Sequence, residues 1–201
     1  RSISYTYTEP TIFFEFAKET GVLAREAALR NIFVTNGFMT NEMLLEARSF
    51  LDAANVDLKS FRDEYYRKVC KGRLDPVLKS IAKMREHQVW VEVTTLIVPG
   101  LNDSDEELKG IAGFLAGLDV NIPWHISRFH PQYRMEGAQV TPMETLNRAW
   151  RIGREAGLRF VYQGNVAGKG NHTYCYNCDR LLIERAGFNI RMNDTQQGKC
   201  P

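Results

Sequence analysis

Residues 89–118 read VWVEVTTLIVPGLNDSDEELKGIAGFLAGL, and this stretch decides the fold class. Val89–Val98 is rich in β-branched residues, which favour a strand, and the following Pro99–Gly100 predicts the turn that ends it. Ser104 and Glu107 form a capping box, so we predict a helix that begins there and ends at Leu118. A strand followed by a turn and a capped helix is typical of the βα units that build parallel sheets.

The same alternation continues on both sides of this unit. Further strands are predicted at Ser2–Tyr7, Asn31–Thr35, Ala54–Lys59, Trp124–Phe129 and Leu158–Tyr162. Further helices are predicted at Thr11–Leu29, Asn41–Leu51, Phe61–Val69, Pro76–Glu86 and from a second capping box, Thr141–Glu144, to Ala156. Six strands joined by helices predict an α/β fold, a partial (β/α) barrel of parallel strands, with a doubly wound sheet as the rival.

Both ends of the sequence interrupt a predicted feature. The chain begins without Met inside a strand pattern, and it ends at Cys200–Pro201 in a cysteine-containing segment. We therefore expect a fragment whose barrel is truncated at its N-terminus. The Gly-rich stretch Gly164–Gly170 predicts a boundary between a partial barrel, residues 1–164, and a small β ribbon, residues 165–201.

Composition excludes several classes of partner. The chain has a net charge of +2, with charges of both signs interspersed, so we expect no nucleic-acid binding. No apolar run is long enough to span a bilayer, so we expect no membrane partner. The Walker loop, the Gly-x-Gly-x-x-Gly fingerprint and the Ser-His-Asp motif are absent, which argues against the common nucleotide-binding and hydrolase interpretations.

Polar residues at the strand ends are the candidate site, because active sites of such folds lie at the carboxyl ends of the strands. Glu9 could accept hydrogen bonds from an ammonium group, or it could complement the dipole of the following helix. Asn55, Asp57 and Lys59 share one strand face, which predicts a polar interior or a ligand, with a buried Asp–Lys pair as the alternative. Thr35–Gly37 by itself predicts only a turn.

Five phrases at these strand ends carry a resemblance. They are Tyr5–Phe13, Val34–Phe38, Val56–Lys59, Val98–Asp103 and Trp124–Pro131. In this order they resemble radical S-adenosylmethionine (SAM) enzymes, most closely the pyruvate formate-lyase activating enzyme group and, within it, the radical enzyme branch of the AmmeMemoRadiSam system. Each phrase alone is weak evidence for the resemblance. Five phrases in family order, which cover nearly the whole chain, are strong evidence.

The resemblance implies which residues contact cofactor or substrate. They are Glu9, Thr35, Asn36, Asp57, Lys59 and His130. Glu9 takes the place of the family's Gly-Gly-Glu carboxylate, which holds the methionine amino group of SAM. His130 matches a late-strand histidine near the ribose and adenine. Val34 stands where activating enzymes have an aspartate, so a cation site that uses this aspartate is not expected.

The resemblance also implies the chemistry of the parent protein. The family holds a [4Fe–4S] cluster on Cys-x-x-x-Cys-x-x-Cys, and reductive cleavage of SAM at this cluster yields a 5′-deoxyadenosyl radical. That motif does not occur in the 201 residues, so we expect it upstream of Arg1 and expect this chain alone to be inactive. The parent would be a cytoplasmic oxidoreductase that takes electrons from flavodoxin or ferredoxin, with a partner protein as one candidate substrate.

Three cysteines near the C-terminus form a second candidate site. Cys175 and Cys178 have the spacing of a metal knuckle, and Cys200 follows two predicted ribbon strands, Leu181–Arg185 and Phe188–Met192. This pattern resembles a zinc ribbon, and an auxiliary iron–sulfur cluster or free thiols are the alternatives. The fourth ligand is expected beyond Pro201, with His172 as a substitute. Cys70 is interpreted as a small apolar residue.

Two other functions stay open at this point. In the first, the chain is an aldolase- or lyase-like α/β barrel in which Lys59 forms a Schiff base beside Asp57. In the second, it is a non-catalytic interaction module built around the cysteine ribbon.

Overall fold

Strands and helices alternate along the chain as predicted. The structure is a computed structural model, and it describes residues 1–187 and 189–201. Its internal contacts divide the chain into two compact units, residues 1–95 and 96–201. The domain boundary predicted between residues 164 and 165 stays a prediction.

The first unit consists of βα repeats. Its elements are β1 Ser2–Tyr5, α1 Phe14–Glu26, β2 Arg30–Thr35, α2 Asn41–Ala47, β3 Ala53–Asp57, α3 Asp63–Tyr65, α4 Leu74–Glu86 and β4 Trp90–Ile97, whose last two residues belong to the second unit. Neighbouring strands pair in parallel: Tyr5 is opposite Phe33, Thr35 is opposite Val56, and Val56 is opposite Val93. All these strands therefore end at the same edge.

Aromatic side chains and one amide form the centre of this unit. Phe33 and Phe50 are fully buried, with ring centroids 5.9 Å apart. The buried Asn31 side chain accepts a hydrogen bond from the Tyr5 hydroxyl at 2.9 Å and donates to the carbonyls of Gly21 and Phe50 at 3.0 and 3.1 Å. The amide can join β1, α1 and the segment before β3 because these hydrogen bonds offset the cost of burying its polar atoms.

The second unit continues the alternation and adds a ribbon. Its elements are α5 Asp105–Leu118, β5 Trp124–Arg128, α6 Met143–Glu155, β6 Val161–Gly164, β7 Thr173–Tyr174, β8 Leu181–Ala186 and β9 Asn189–Asn193. Helix α6 lies close to the sheet because Gly153 has no side chain: a Cβ there would stand 2.9 Å from Val161 and 3.0 Å from the buried Trp124 ring.

The sheet order confirms the predicted fold class. The parallel strands follow one another in space as β1-β2-β3-β4-β5-β6, and β7-β8-β9 form a separate antiparallel sheet, the C-terminal ribbon. Phe188, which begins the second predicted ribbon strand, lies outside the described residues. In the described part of the chain, no helix is both long enough and apolar enough to cross a membrane.

Among the predicted strand boundaries that are wrong, two have a local cause. Strand β1 ends at Tyr5 because the backbone turns away at Tyr7, which has a φ of 68°. Strand β6 begins at Val161 because Leu158 closes the preceding helix, where its N–H donates to the Gly153 carbonyl at 3.1 Å.

Of the two predicted capping boxes, one forms a cap. The Ser104 hydroxyl accepts a hydrogen bond from the Glu107 N–H at 3.3 Å, as predicted. Thr141 does not cap α6, because its buried hydroxyl donates to the Ile97 carbonyl at 2.6 Å and accepts from the Phe129 N–H at 2.9 Å. Helix α6 therefore begins without a side-chain cap.

Candidate functional site

The Glu9 carboxylate is the centre of the strand-end site. Glu9 lies in the loop after β1, where it begins a 3-10 turn, Pro10–Phe13. Its Oε1 accepts a hydrogen bond from the Thr35 hydroxyl at 2.6 Å, and its Oε2 accepts one from the Asn36 N–H at 2.8 Å. Three predicted residues are thus brought together, and we call Glu9, Thr35 and Asn36 the Glu9 cluster.

The turn after β2 has the geometry that this cluster requires. Gly37 adopts a φ of 72°, and a Cβ there would stand 2.6 Å from the Val56 side chain. The Gly37 N–H donates to the Thr35 hydroxyl at 3.0 Å, and the Phe38 N–H donates to the Asn36 Oδ1 at 2.8 Å. The Thr35 hydroxyl accepts from the Gly37 N–H, so its own hydrogen points towards Glu9.

The Glu9 carboxylate retains capacity for a further donor. A carboxylate offers about four lone-pair positions. Thr35 and Asn36 fill two of them, and the Thr11 N–H approaches Oε1 at 3.4 Å. Glu9 is half-buried, so a cation could reach it. The cluster is a pre-oriented carboxylate that can accept from one ammonium group. Glu9 also lies at the start of the Pro10–Phe13 turn, so the alternative, that it complements the dipole of the following helix, stays open.

Asp57 and Lys59 form an ion pair beside this cluster. Lys59 Nζ lies 2.9 Å from Asp57 Oδ2, and the two side chains are 40% and 42% exposed. The alternative of a buried pair is therefore wrong, and such an open pair adds little stability. Because Thr35 is opposite Val56, Asn36 and Asp57 follow at the same level of neighbouring strands.

Tyr66 is a residue of this region that the sequence interpretation missed. It begins a π-helical turn, Tyr66–Cys70, and its hydroxyl accepts a hydrogen bond from the Lys59 N–H at 3.0 Å. Burial raises the pKa of Tyr66 above its ordinary value. Tyr66 thereby fixes the backbone where Lys59 leaves β3. No local pattern signals this contact, because a hydroxyl seven residues away can meet an N–H only in the folded chain.

The second unit holds the remaining predicted strand-end residue. His130 is exposed and lies two residues beyond β5. Nearby, Arg128 Nε donates to the Thr141 carbonyl at 2.8 Å, and the His125 ring stacks on Tyr162 with centroids 5.3 Å apart. A cofactor role for His130 stays a prediction.

The three C-terminal cysteines converge. The Sγ atoms of Cys175, Cys178 and Cys200 all lie within 4.8 Å of one another, and Cys178 Sγ and Cys200 Sγ are 3.7 Å apart. We call these residues the cysteine triad. His172 does not belong to it; its Nδ1 instead accepts a hydrogen bond from the Arg185 N–H at 3.2 Å.

The triad thiols influence one another. Backbone N–H groups of Asn177 and Cys178 donate to the Cys175 sulfur and lower the pKa of its thiol. Burial, together with the neighbouring sulfurs, raises the pKa of Cys200 to about 11. Three thiols at this separation cannot all ionise easily without a cation, because their negative charges repel one another.

A cavity of about 450 Å³ lies beside β6, α6 and the ribbon. Aromatic and basic side chains line it, among them Trp150, Tyr162, Arg154 and Lys169. Among the residues that the structure describes, neither the Glu9 cluster nor the cysteine triad contributes to its wall. Its wall is therefore formed by other residues of the second unit.

Comparison with known proteins supports the predicted resemblance. The model of the family described as the Radical SAM superfamily matches residues 1–115. An uncharacterized protein of Methanocaldococcus jannaschii is 46% identical over 202 residues, which cover 98% of this chain and 60% of that protein. The (2S)-3-sulfopropanediol sulfolyase activating enzyme of Bilophila wadsworthia is 33% identical over 113 residues, which cover 54% of this chain and 37% of that enzyme.

A solved structure shows the same fold. A domain of a pyruvate-formate lyase-activating enzyme from Bacteroides vulgatus superposes with a TM-score of 0.70 at 20% identity, covering 82% of this chain and 99% of that domain. This chain spans about 60% of the Methanocaldococcus relative and 37% of the Bilophila relative. The resemblance to the activating-enzyme group is confirmed.

Proposed function

We propose, since this chain belongs to the radical SAM superfamily, that it binds the methionine end of S-adenosylmethionine at the Glu9 cluster. The observation that carries the proposal is the Glu9 carboxylate, held on both oxygens by Thr35 and Asn36 and still able to accept one donor. A carboxylate oriented in advance needs no rearrangement when an ammonium group arrives, which favours binding.

The iron–sulfur cluster of the superfamily does not fit the residues present. Its thiolate ligands follow the Cys-x-x-x-Cys-x-x-Cys spacing, and the four cysteines of residues 1–201 do not have this spacing. Radical formation from SAM is the chemistry that the superfamily supplies, and we assign no step of it to these residues. We expect no SAM cleavage by residues 1–201 alone.

The other predicted residues extend the same proposal. The Asp57–Lys59 pair is open to solvent beside the cluster, so it can exchange its internal contact for one with cofactor or substrate. His130 is exposed and could contact the adenosyl part. A parent enzyme of the activating type, a protein substrate, a flavodoxin or ferredoxin reductant and a cytoplasmic location are parts of this proposal that rest on the family.

Calorimetric titration of the chain with SAM tests the proposal. Replacing Glu9→Gln removes the charge but keeps the shape, and loss of a charged hydrogen bond costs about 1.5–3 kcal/mol, or roughly 10- to 100-fold in affinity. Glu19→Gln, an exposed carboxylate on α1, is the matched control and should bind normally. Equal affinity of both variants would contradict the assignment.

A Schiff-base function of Lys59 receives less support. Asp57 Oδ2 lies 2.9 Å from Lys59 Nζ, so the amine is held in an ion pair that it would have to leave before attacking a carbonyl carbon. Borohydride reduction in the presence of pyruvate should therefore leave Lys59 unmodified in mass spectra. A trapped adduct on Lys59 would favour the aldolase-like function.

Unchanged SAM binding in Glu9→Gln, Asp57→Asn and Lys59→Gln together would favour a non-catalytic module.

A further inference from the structure

We propose that the cysteine triad binds one four-coordinate Zn²⁺ ion, and that this ion holds the C-terminal ribbon in its folded form. The proposal is independent of SAM binding, because it rests on residues of the ribbon alone.

The separation of the sulfurs distinguishes the kinds of site. Thiolates bind tetrahedral Zn²⁺ at about 2.3 Å, so two thiolates on one ion lie about 3.8 Å apart. The Cys178 and Cys200 sulfurs are 3.7 Å apart, and the whole triad lies within 4.8 Å. A disulfide would require about 2.05 Å. In a [4Fe–4S] cluster each thiolate binds a different iron, so its sulfurs must spread around the entire cluster. The triad fits a single ion.

Two tight turns bring the sulfurs to this separation. In the first, the Asp179 N–H donates to the Cys175 carbonyl at 2.9 Å, and Asp179 has a φ of 56°. In the second, Gln196 and Lys199 pair with each other, and Gly198 has a φ of 77°. The first turn reverses the backbone at Cys175 and Cys178, and the second does so just before Cys200, so that the three sulfurs approach one another. The ribbon thus has two knuckles, the arrangement found in structural zinc sites.

The donor set excludes cations that prefer oxygen ligands. Three soft thiolates favour Zn²⁺ over Mg²⁺ and Ca²⁺, which prefer oxygen. Among residues 1–187 and 189–201, no histidine, cysteine or carboxylate joins the triad as a fourth donor. We assign the fourth position to a donor outside these residues, either water or a further polypeptide segment.

The ribbon buries few of its own side chains. Within residues 165–187 and 189–201, only Cys175 and Leu182 are buried. An ion pair between Arg180 and Asp194, at 2.6 Å, is half-exposed. A module this small and this open generally needs a metal or a disulfide to fold. Metal binding to such a module is therefore coupled to its folding.

Metal analysis of the full 201-residue chain, followed by zinc-edge X-ray absorption, tests the proposal. We expect one zinc ion per chain after dialysis, with zinc–sulfur distances of about 2.3 Å. Cys178→Ser should lower zinc affinity at least tenfold. Cys70→Ser is the matched control, because Cys70 stands apart from the triad, and it should retain the ion.

Two results would overturn the proposal. Iron with acid-labile sulfide in the anaerobically purified chain, together with iron–iron scattering, would assign the triad to a cluster. A chain that takes up no zinc from micromolar solution, with all three thiols reactive, would assign it to free thiols. The measurements on the unsubstituted chain decide the matter even if Cys178→Ser fails to fold, and neither result bears on SAM binding at Glu9.

Discussion

The Glu9 cluster and the cysteine triad are organised in opposite ways. The Glu9 cluster is attached to strands whose residues Phe33 and Val56 are fully buried, and its polar groups hydrogen-bond one another. The triad lies on a ribbon with two buried residues in its described part, and its sulfurs face one another. The first site is shaped by a core before a ligand binds. The second site, on the zinc proposal, is held in its folded form by the ligand that it binds.

Removing the metal should have the largest effect and should be confined to the ribbon. Structural zinc contributes about 10 kcal/mol or more to the folding of zinc-finger peptides, so a strong chelator should abolish amide protection in β8 and β9. Hydrogen exchange followed by mass spectrometry measures this. Peptides covering β2 and β3 are the internal control and should not change. Ribbon protection that survives chelation would mean that the two sites are not organised differently.

Opening the core should damage the Glu9 cluster and spare the triad. Phe33→Ala removes a fully buried ring and should lower the free energy of unfolding by about 3–5 kcal/mol in urea titrations. Phe16→Ala, on a ring that is 66% exposed, is the control and should cost far less. Zinc content should be the same in both variants. A loss of zinc in Phe33→Ala alone would link the triad to the core.

Removing one hydroxyl should loosen the Glu9 cluster without opening a cavity. Thr35→Val keeps the shape but leaves Glu9 Oε1 without its 2.6 Å donor and the Gly37 N–H without its acceptor. We expect a loss of about 1–3 kcal/mol in unfolding free energy and weaker SAM binding. Thr35→Ser restores the hydroxyl and should restore most of both. If Thr35→Val behaved like Thr35→Ser, hydrogen bonding would not be what orients Glu9.

The Asp57–Lys59 pair should have the smallest effect on stability. Both side chains are about two-fifths exposed, and exposed pairs contribute about 0–1 kcal/mol. A double-mutant cycle with Asp57→Asn and Lys59→Gln should give a coupling energy below about 1 kcal/mol. The Lys18–Glu46 pair, 44% and 55% exposed, provides the comparison cycle. A coupling well above that of the comparison pair would make Asp57–Lys59 part of the framework.

Much of the site could be predicted from the sequence because its residues follow predictable strands. Parallel strands end at one edge, so polar residues after β1, β2 and β3 were expected to meet, and Glu9, Thr35 and Asn36 do. The pattern could not give the exposure of the Asp57–Lys59 pair, since exposure depends on what the rest of the chain covers. Nor could it identify Tyr66, which meets Lys59 through a turn of π-helical geometry.

The sequence by itself determined the alternation of strands and helices, the α/β class, the family and the spacing of the cysteines. These follow from local patterns, which act between residues close together in the chain. Only the tertiary structure decided that Thr141 bonds to Ile97 instead of capping α6, because a hydroxyl in the core takes whichever partner packing brings to it. The tertiary structure alone also decided that the sulfurs of Cys178 and Cys200, 22 residues apart in sequence, lie 3.7 Å from each other. The spacing of two residues in the sequence does not determine their distance in the folded chain.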